Sequence, residues 1–375
     1  MQQGGVLPLI FFKKRRYLFY MSKKKEITIY DIAKQLNYSP STISRALNNH
    51  SSISKKTIST IQNAAKELGY RPNSIAASLR NSKSNTIGIM IARINRPFIA
   101  SLISGVEERA RKAGYNVIIS QSNDNYENEL NNAKALYDSR ITGLIASLAM
   151  ETKDYAHFQQ FVDQGIPIVF VDRVPQGFNS YLVVIDNYAA GYRATKHLIE
   201  QGCKRIAHFA GAQHLNVYQE RRKGYEDALR ECGLPVEEEL IVRFKTLSFE
   251  EGKKATKKLL KMKNPPDGIF SANDTAAVSA IIYAKKHGVR IPEELAIIGF
   301  NDDPIASIVD PGLSTVTHPA TKMGKISAQR ILEHTEKEKD QSITEVTILN
   351  TELIIRESSQ RSKNLTLEAK HTGQP

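Results

Sequence analysis

Thr28-Ile-Tyr-Asp-Ile-Ala-Lys-Gln-Leu-Asn-Tyr-Ser-Pro-Ser-Thr-Ile-Ser-Arg-Ala-Leu47 is the stretch on which the reading of this chain turns. It spells two short helices around a tight turn. Thr28 is placed to cap the first helix, with Asp31 three residues on near the positive helix end. Ile29, Ile32, Ala33 and Leu36 recur at helical spacing and give one apolar face. Asn37 and Tyr38 supply the turn. Ser39 suits the next N-cap, and Pro40 the first helical position, where its missing N–H costs nothing. Ile43, Ala46 and Leu47 then face inward, leaving Ser41, Thr42, Ser44 and Arg45 outside. Small hydroxyl side chains and an arginine are poor core material but suit base edges and phosphates. The spacing therefore predicts a helix-turn-helix whose second helix enters a DNA groove.

Downstream, Ser54-Lys-Lys-Thr57 starts a third helix with Ile58, Ile61, Ala65 and Leu68 on one face. Gly69 and Pro72 end it. Asn73-Ser-Ile-Ala-Ala-Ser-Leu-Arg80 is short and helix-compatible, with Asn73 as its cap. A helix of that length is marginal in water alone and needs a partner to form.

Charge agrees with this reading. Residues 1–85 hold 15 Lys and Arg against Glu26, Asp31 and Glu67, a net +12, while residues 86–375 hold 37 against 36 acids. A near-neutral body thus carries a basic head, the electrostatic footprint of a polyanion binder. The two cysteines, Cys203 and Cys232, lie 29 residues apart with no nearby histidine pair, so no metal site is expected and the thiols read as inert. In Met1–Tyr20 the apolar run Val6–Phe12 precedes the charges Lys13–Arg16, the reverse of a signal peptide, and it is too short to span a bilayer. Residues 1–22 read as a disordered extension or an over-called start, with Met21 the natural beginning. Membrane or extra nucleic-acid contact through this segment is the rival reading.

From Thr86 the pattern changes to alternating strands and helices. Ile87-Gly-Ile-Met-Ile-Ala92 is an apolar run fit for a strand buried on both faces. Further βα units follow, and the rhythm restarts after Val183-Val-Ile-Asp186. Repeated βαβ units predict parallel sheets with helices on both faces. Two such halves, meeting near Asp186 and again near Thr315, leave a cleft at the carboxyl ends of their strands, where open α/β sheets bind ligands. The expected organisation is a head over 23–72, a hinge helix and linker over 73–85, a core over 86–357 and a flexible tail over 358–375. Within the core, one lobe takes 86–184 plus 317–340 and the other 185–316 plus 341–357.

With these residues in view, the chain resembles the LacI/GalR family of bacterial repressors. The resemblance rests on Thr28-Ile-Tyr-Asp-Ile-Ala33, Ser39-x-x-Thr-Ile-Ser-Arg45, Leu68-Gly-Tyr-Arg-Pro-Asn73 and Ala76-x-x-Leu79, and runs from about Ile27 to about Glu357. It implies an all-α DNA-binding domain followed by a two-lobed core of the type I periplasmic-binding-protein kind, an α/β fold of doubly wound parallel sheets. It implies base contacts from Pro40, Ser41 and Arg45. Pro40 departs from the pattern, since it cannot donate a hydrogen bond. Thr42, Ser44 and Lys55 fall to phosphates, and Thr28, Tyr30, Ser39, Asn48, Tyr70, Asn73 and Ala76 complete the DNA-facing set. Leu79 would be the wedge pushed into the minor groove. In the cleft the resemblance implies Arg221, three residues before Gly224, with Asn273, Phe300, Arg96 and Phe98, and strand-end Asp172 beside them. The family usually has an acid directly after the aromatic. Here Asn301 stands there and Asp302 follows, so the hydroxyl-binding carboxylate falls to one or the other.

The implied protein is a cytoplasmic, homodimeric regulator, read as a repressor of carbohydrate genes. Its partners would be double-stranded operator DNA and a small effector: a sugar, sugar acid or sugar phosphate, with purines a weaker candidate. No cofactor, metal or membrane partner is expected. A transport-type sugar-binding protein would explain the core but not the basic head. An enzyme would need a triad spacing, His-Glu-x-x-His, a Walker loop or a strand-end Gly-x-Gly-x-x-Gly, and the sequence contains none of them.

Overall fold

The computed structural model describes residues 27–70, 84–337 and 344–361. They form two compact units, each with its own core. The expected extension over 1–22 and the hinge residues Asn73, Ala76 and Leu79 lie outside the described residues, as does the tail beyond Arg361.

The first unit is three helices: α1 (Ile29–Leu36), α2 (Pro40–Leu47) and α3 (Lys55–Glu67). Thr28 and Asp31 close a reciprocal capping box on α1, and Asn37 ends it in the left-handed region at φ 55°. The Ser39 and Ser54 hydroxyls accept from the backbone N–H of Thr42 and Thr57 and start the other two. Ile32, Ala33, Ile43, Ala46, Ile61 and Ala65 meet in one small core. It uses the apolar positions the helical spacing selects.

The second unit holds two six-stranded sheets. Its strands are β1 (Thr86–Ile91), β2 (Asn116–Gln121), β3 (Gly143–Ala146), β4 (Ile168–Val171), β5 (Tyr181–Ile185), β6 (Ile206–Ala210), β7 (Ile241–Arg243), β8 (Gly268–Ser271), β9 (Ala296–Asn301), β10 (Ser314–Thr317), β11 (Glu345–Leu349) and β12 (Leu353–Ile354). Its helices are α4 (Pro97–Lys112), α5 (Tyr126–Asp138), α6 (Ala156–Asp163), α7 (Asn187–Glu200), α8 (Asn216–Glu231), α9 (Phe249–Leu259), α10 (Asp274–Lys286), α11 (Ile305–Ile308) and α12 (Ala320–Lys337). One sheet runs β11-β5-β4-β3-β1-β2 and is parallel throughout. The other runs β12-β10-β9-β8-β6-β7, with only β12 antiparallel. Their central strands are fully buried, as runs such as Ile168-Val-Phe-Val171 require when helices cover both faces.

Two boundaries differ from expectation. Residues 341–357 do not all belong to the second lobe: Glu345–Leu349 pairs in parallel with β5 and completes the first sheet. The chain then crosses a third time before Leu353–Ile354 joins β10. Nor does the tail begin at Ser358. Ser358 and Ser359 are buried, and Ser358 Oγ accepts from Ser314 N–H at 2.8 Å and donates to the Ile297 carbonyl at 2.6 Å. Among the described residues no helix is long and apolar enough to cross a membrane.

Candidate functional site

In the helical unit, the outer face of α2 presents Ser41 and Arg45 exposed, with Pro40, Thr42 and Ser44 half-buried. The Ser39 hydroxyl ties this face together, lying 2.8 Å from both the Ser41 and Thr42 hydroxyls. Lys55 opens α3, and Tyr30, 68 % exposed, projects from α1. Asn48 donates from its side chain to the Ser44 carbonyl and so caps the end of α2. Tyr70 packs half-buried against the helical core. Thr28, Ser39 and Asn48 thus each serve helix ends.

In the second unit, the carboxyl ends of both sheets face one cleft of about 660 Å³, counting its open mouth. Arg96, Phe98, Asp172, Arg221, Asn273 and Asn301 line it, so six of the eight expected residues converge. Arg221 rises from α8 and is 3 % exposed. Its Nε donates to Asn187 Oδ1 and its Nη1 to the Ala272 carbonyl, both at 2.9 Å. The guanidinium lies 3.5 Å above the Phe300 ring. Burial pulls its pKa down to about 10, against the pull of the Asp172 carboxylate. The fork is therefore clamped in place, with no carboxylate bonded to it among the described residues.

Asp172 ends β4 in the left-handed region at φ 63°. Burial raises its pKa, with Arg173 and Arg221 opposing. Arg96 reaches across the cleft, donating to the Thr246 carbonyl at 3.2 Å and the Thr275 hydroxyl at 3.4 Å. Phe98 is 8 % exposed and stacks on the His318 ring at 4.0 Å. Asn273 spends its amide on the backbone: Oδ1 caps α10 at Ala276 N–H and Nδ2 donates to the Leu247 carbonyl. Its placement at the rim is that of a helix cap which also borders the cleft.

Two expected residues do not line the cleft. Phe300 is fully buried and forms the support beneath Arg221. Asp302 is exposed and pairs with Arg356 at 2.8 Å. The physical reason is the backbone. Asn301 and Asp302 take φ 114° and 54°, which breaks the strand's alternation and turns Asp303 inward instead. Asp303 is 7 % exposed, and burial pushes its carboxyl up to about 6, with Arg96 opposing. Its backbone N–H donates to the buried Asp274 carboxylate at 2.7 Å, which fixes the turn.

Sequence reasoning missed Arg93, Asp124, Arg173, Tyr218, Asp303 and His318. Asp124 bonds both Arg93, at 3.0 Å, and Arg173, at 2.6 Å. Burial works against the Asp124 charge, yet the two guanidinium groups hold its pKa below the usual range. Arg173 also donates to the Tyr218 hydroxyl across the lobes at 3.0 Å. The available signal was position. Arg173 directly follows strand-end Asp172, and His318 directly follows the crossing strand β10, both places where α/β sheets present side chains to ligands.

Residues 28–73 match the family described as bacterial regulatory proteins, lacI family, and residues 195–359 match a periplasmic binding protein-like domain. An HTH-type transcriptional regulator, DegA, of Bacillus subtilis is 32 % identical over 333 residues, covering 88 % of this chain and 98 % of the relative. A ribose operon repressor of Halalkalibacterium halodurans is 32 % identical over 338 residues, covering 90 % and 98 %. The fold matches that of a lac repressor dimer bound to operator and the anti-inducer ONPF, with a TM-score of 0.78 at 22 % identity, covering 90 % of this chain and 100 % of that one. The head, the two-lobed core and these full-length relatives agree: the chain belongs to the LacI family of DNA-binding transcriptional regulators.

Proposed function

We propose that this regulator is a cytoplasmic homodimeric repressor of carbohydrate genes, in which a small sugar-like molecule in the interlobe cleft sets affinity for operator DNA. The observation that carries the reading is one chain holding both an exposed Ser41–Arg45 face on α2 and a clamped, carboxylate-free Arg221 in a cleft between two lobes. Ser41 and Arg45 would read base edges, with Pro40 limited to apolar contact. Thr42, Ser44 and Lys55 would hold phosphates. Leu79 is retained as the minor-groove wedge on sequence grounds alone. Arg221, Asp172 and Asp303 would take the effector's hydroxyls. Exposed Ile282, Ile305 and Ile308 on one lobe and Ile118 and Ile119 on the other support pairing of two copies, since apolar residues clustered on a surface mark contact sites.

The test is an operator duplex selected from a random library, titrated with the full-length chain by fluorescence anisotropy. A panel of sugars, sugar acids and sugar phosphates is scored in parallel by thermal shift. A compound that raises the melting temperature should change operator affinity at least tenfold, and Arg221→Ala should abolish that response while still selecting the duplex. If binding compounds leave operator affinity unchanged, or if no duplex is enriched, the reading fails.

A further inference from the structure

His318 is the cleft residue with the least obvious structural reason to be there. Its side chain is 1 % exposed, yet it lines the cleft. Phe98 stacks on one face of its ring at 4.0 Å, and the ring meets Phe300 edge-on at 5.9 Å. The ring is thus clamped in one orientation. Nδ1 lies 3.2 Å from Asn301 Oδ1. Nε2 is buried with no hydrogen-bond partner among the described residues, and the nearest carboxylate oxygen, Asp172 Oδ1, stands 3.8 Å away.

The partner of Nδ1 decides which nitrogen carries the proton. Asn301 presents its amide oxygen to the ring. An oxygen at Nδ1 requires a proton on Nδ1. Burial and the neighbouring Arg221 keep the imidazole neutral, since both disfavour a second proton. Nε2 is then a bare acceptor, and it sits beside a second acceptor, Asp172. A buried acceptor beside a half-buried carboxyl at that spacing is a place for a donor from outside the protein.

We propose that His318 is a specificity-determining residue whose Nε2, together with Asp172, receives a donor group of the ligand, so that the cleft takes a hydroxyl- or amine-bearing sugar without an anionic group at that end. The remaining charges agree. Arg93 and Arg173 are committed to Asp124, and Arg96 spans the cleft to Thr246 and Thr275. Among the described residues Arg221 is the one lining arginine without a bonded carboxylate or a bridging duty; Asp172 opposes it, and Arg96 opposes Asp303. A phosphate dianion would meet two acids beside Arg221 and Arg96, of which only Arg221 has its fork free of a bridge between the lobes.

This inference rests on the reading of the cleft as the effector site, and the experiment separates the two. The full-length chain is titrated calorimetrically with matched sets built on glucose, galactose and ribose: the free sugar, its 2-amino form where it exists, its aldonate and its terminal phosphate. The expected result is that free or amino members bind at least tenfold tighter than the aldonate or phosphate of the same sugar. His318→Leu should lose at least tenfold in affinity for them, and His318→Gln, which keeps an acceptor, should recover most of it. Nitrogen-15 NMR of the wild type should show His318 protonated on Nδ1 alone at neutral pH, a readout independent of whether the variants fold. Tighter binding of an anionic member, no binding of any free or amino member, unchanged affinity in His318→Leu, or a proton on Nε2 would each overturn the inference. An anionic member that binds and alters operator affinity would do so while leaving the effector reading intact. A neutral member that needs His318 but leaves operator affinity unchanged would sink only the effector reading.

Discussion

Asp303 shows how much a single buried carboxyl contributes to the behaviour of this cleft. Burial raises its pKa from 3.8 to about 6. For an acid raised in the folded state, the associated stability is complete below the unfolded pKa and is lost as pH rises through the folded one. The window is therefore about pH 4 to 6. Asp303→Asn, which cannot ionise, should gain on the wild type by about 2–3 kcal/mol between pH 3.5 and 7 in urea unfolding. A stability gap that stays flat across that range would show that the carboxyl is not desolvated. This residue also marks where sequence reading ran out. The motif placed an acid one or two positions after Phe300, and only the positive φ at Asn301 and Asp302 moves that role to the third. Backbone conformations of that kind leave no periodic trace. Arg221, by contrast, came with the family resemblance, in whose motif the spacing to Gly224 reflects a packing requirement.

That requirement belongs to the pair α7 and α8. A Cβ at Gly224 would lie 2.2 Å from the Tyr188 carbonyl oxygen, and one at Gly191 would lie 2.4 Å from the Arg221 carbonyl oxygen. The two helices cross with backbone against backbone, which only glycine permits. Gly191→Ala must push α8 outward and carry Arg221 with it. The expected cost is about 1–3 kcal/mol of stability in urea unfolding. The same substitution should weaken the binding of any compound that needs Arg221. Wild-type stability in Gly191→Ala would refute the close crossing. Most elements were legible from period alone, since parallel strands buried on both faces read as apolar runs. The third crossing was not. β11 and β12 are short and three residues apart, and their assignment to different sheets is a matter of tertiary pairing that local pattern does not encode.

At the scale of the whole molecule, the cleft is closed by side chains from both lobes. Arg96 bonds Thr246 and Thr275, Arg173 bonds Tyr218, and Asn216 Oδ1 accepts from the Val174 N–H at 3.0 Å. These arginines line the cleft as well as joining the lobes, so a molecule bound there would be linked in free energy to the lobe arrangement. Charge divides the chain just as plainly. The net +12 of residues 1–85 sits at the DNA-binding end, and the body is nearly neutral. Association with DNA should therefore weaken steeply with salt, whatever the sequence of the duplex. Salt dependence alone would not distinguish a sequence reader from a simple polyanion binder. The central claim is tested most directly by the ratio of affinities for a library-selected duplex and a scrambled one, measured at one salt concentration for the wild type and Arg45→Ala. The account predicts a wild-type ratio of at least about 10³, falling by tenfold or more in Arg45→Ala with little change in affinity for the scrambled duplex. A ratio near one in the wild type, or an undiminished ratio in Arg45→Ala, would contradict it.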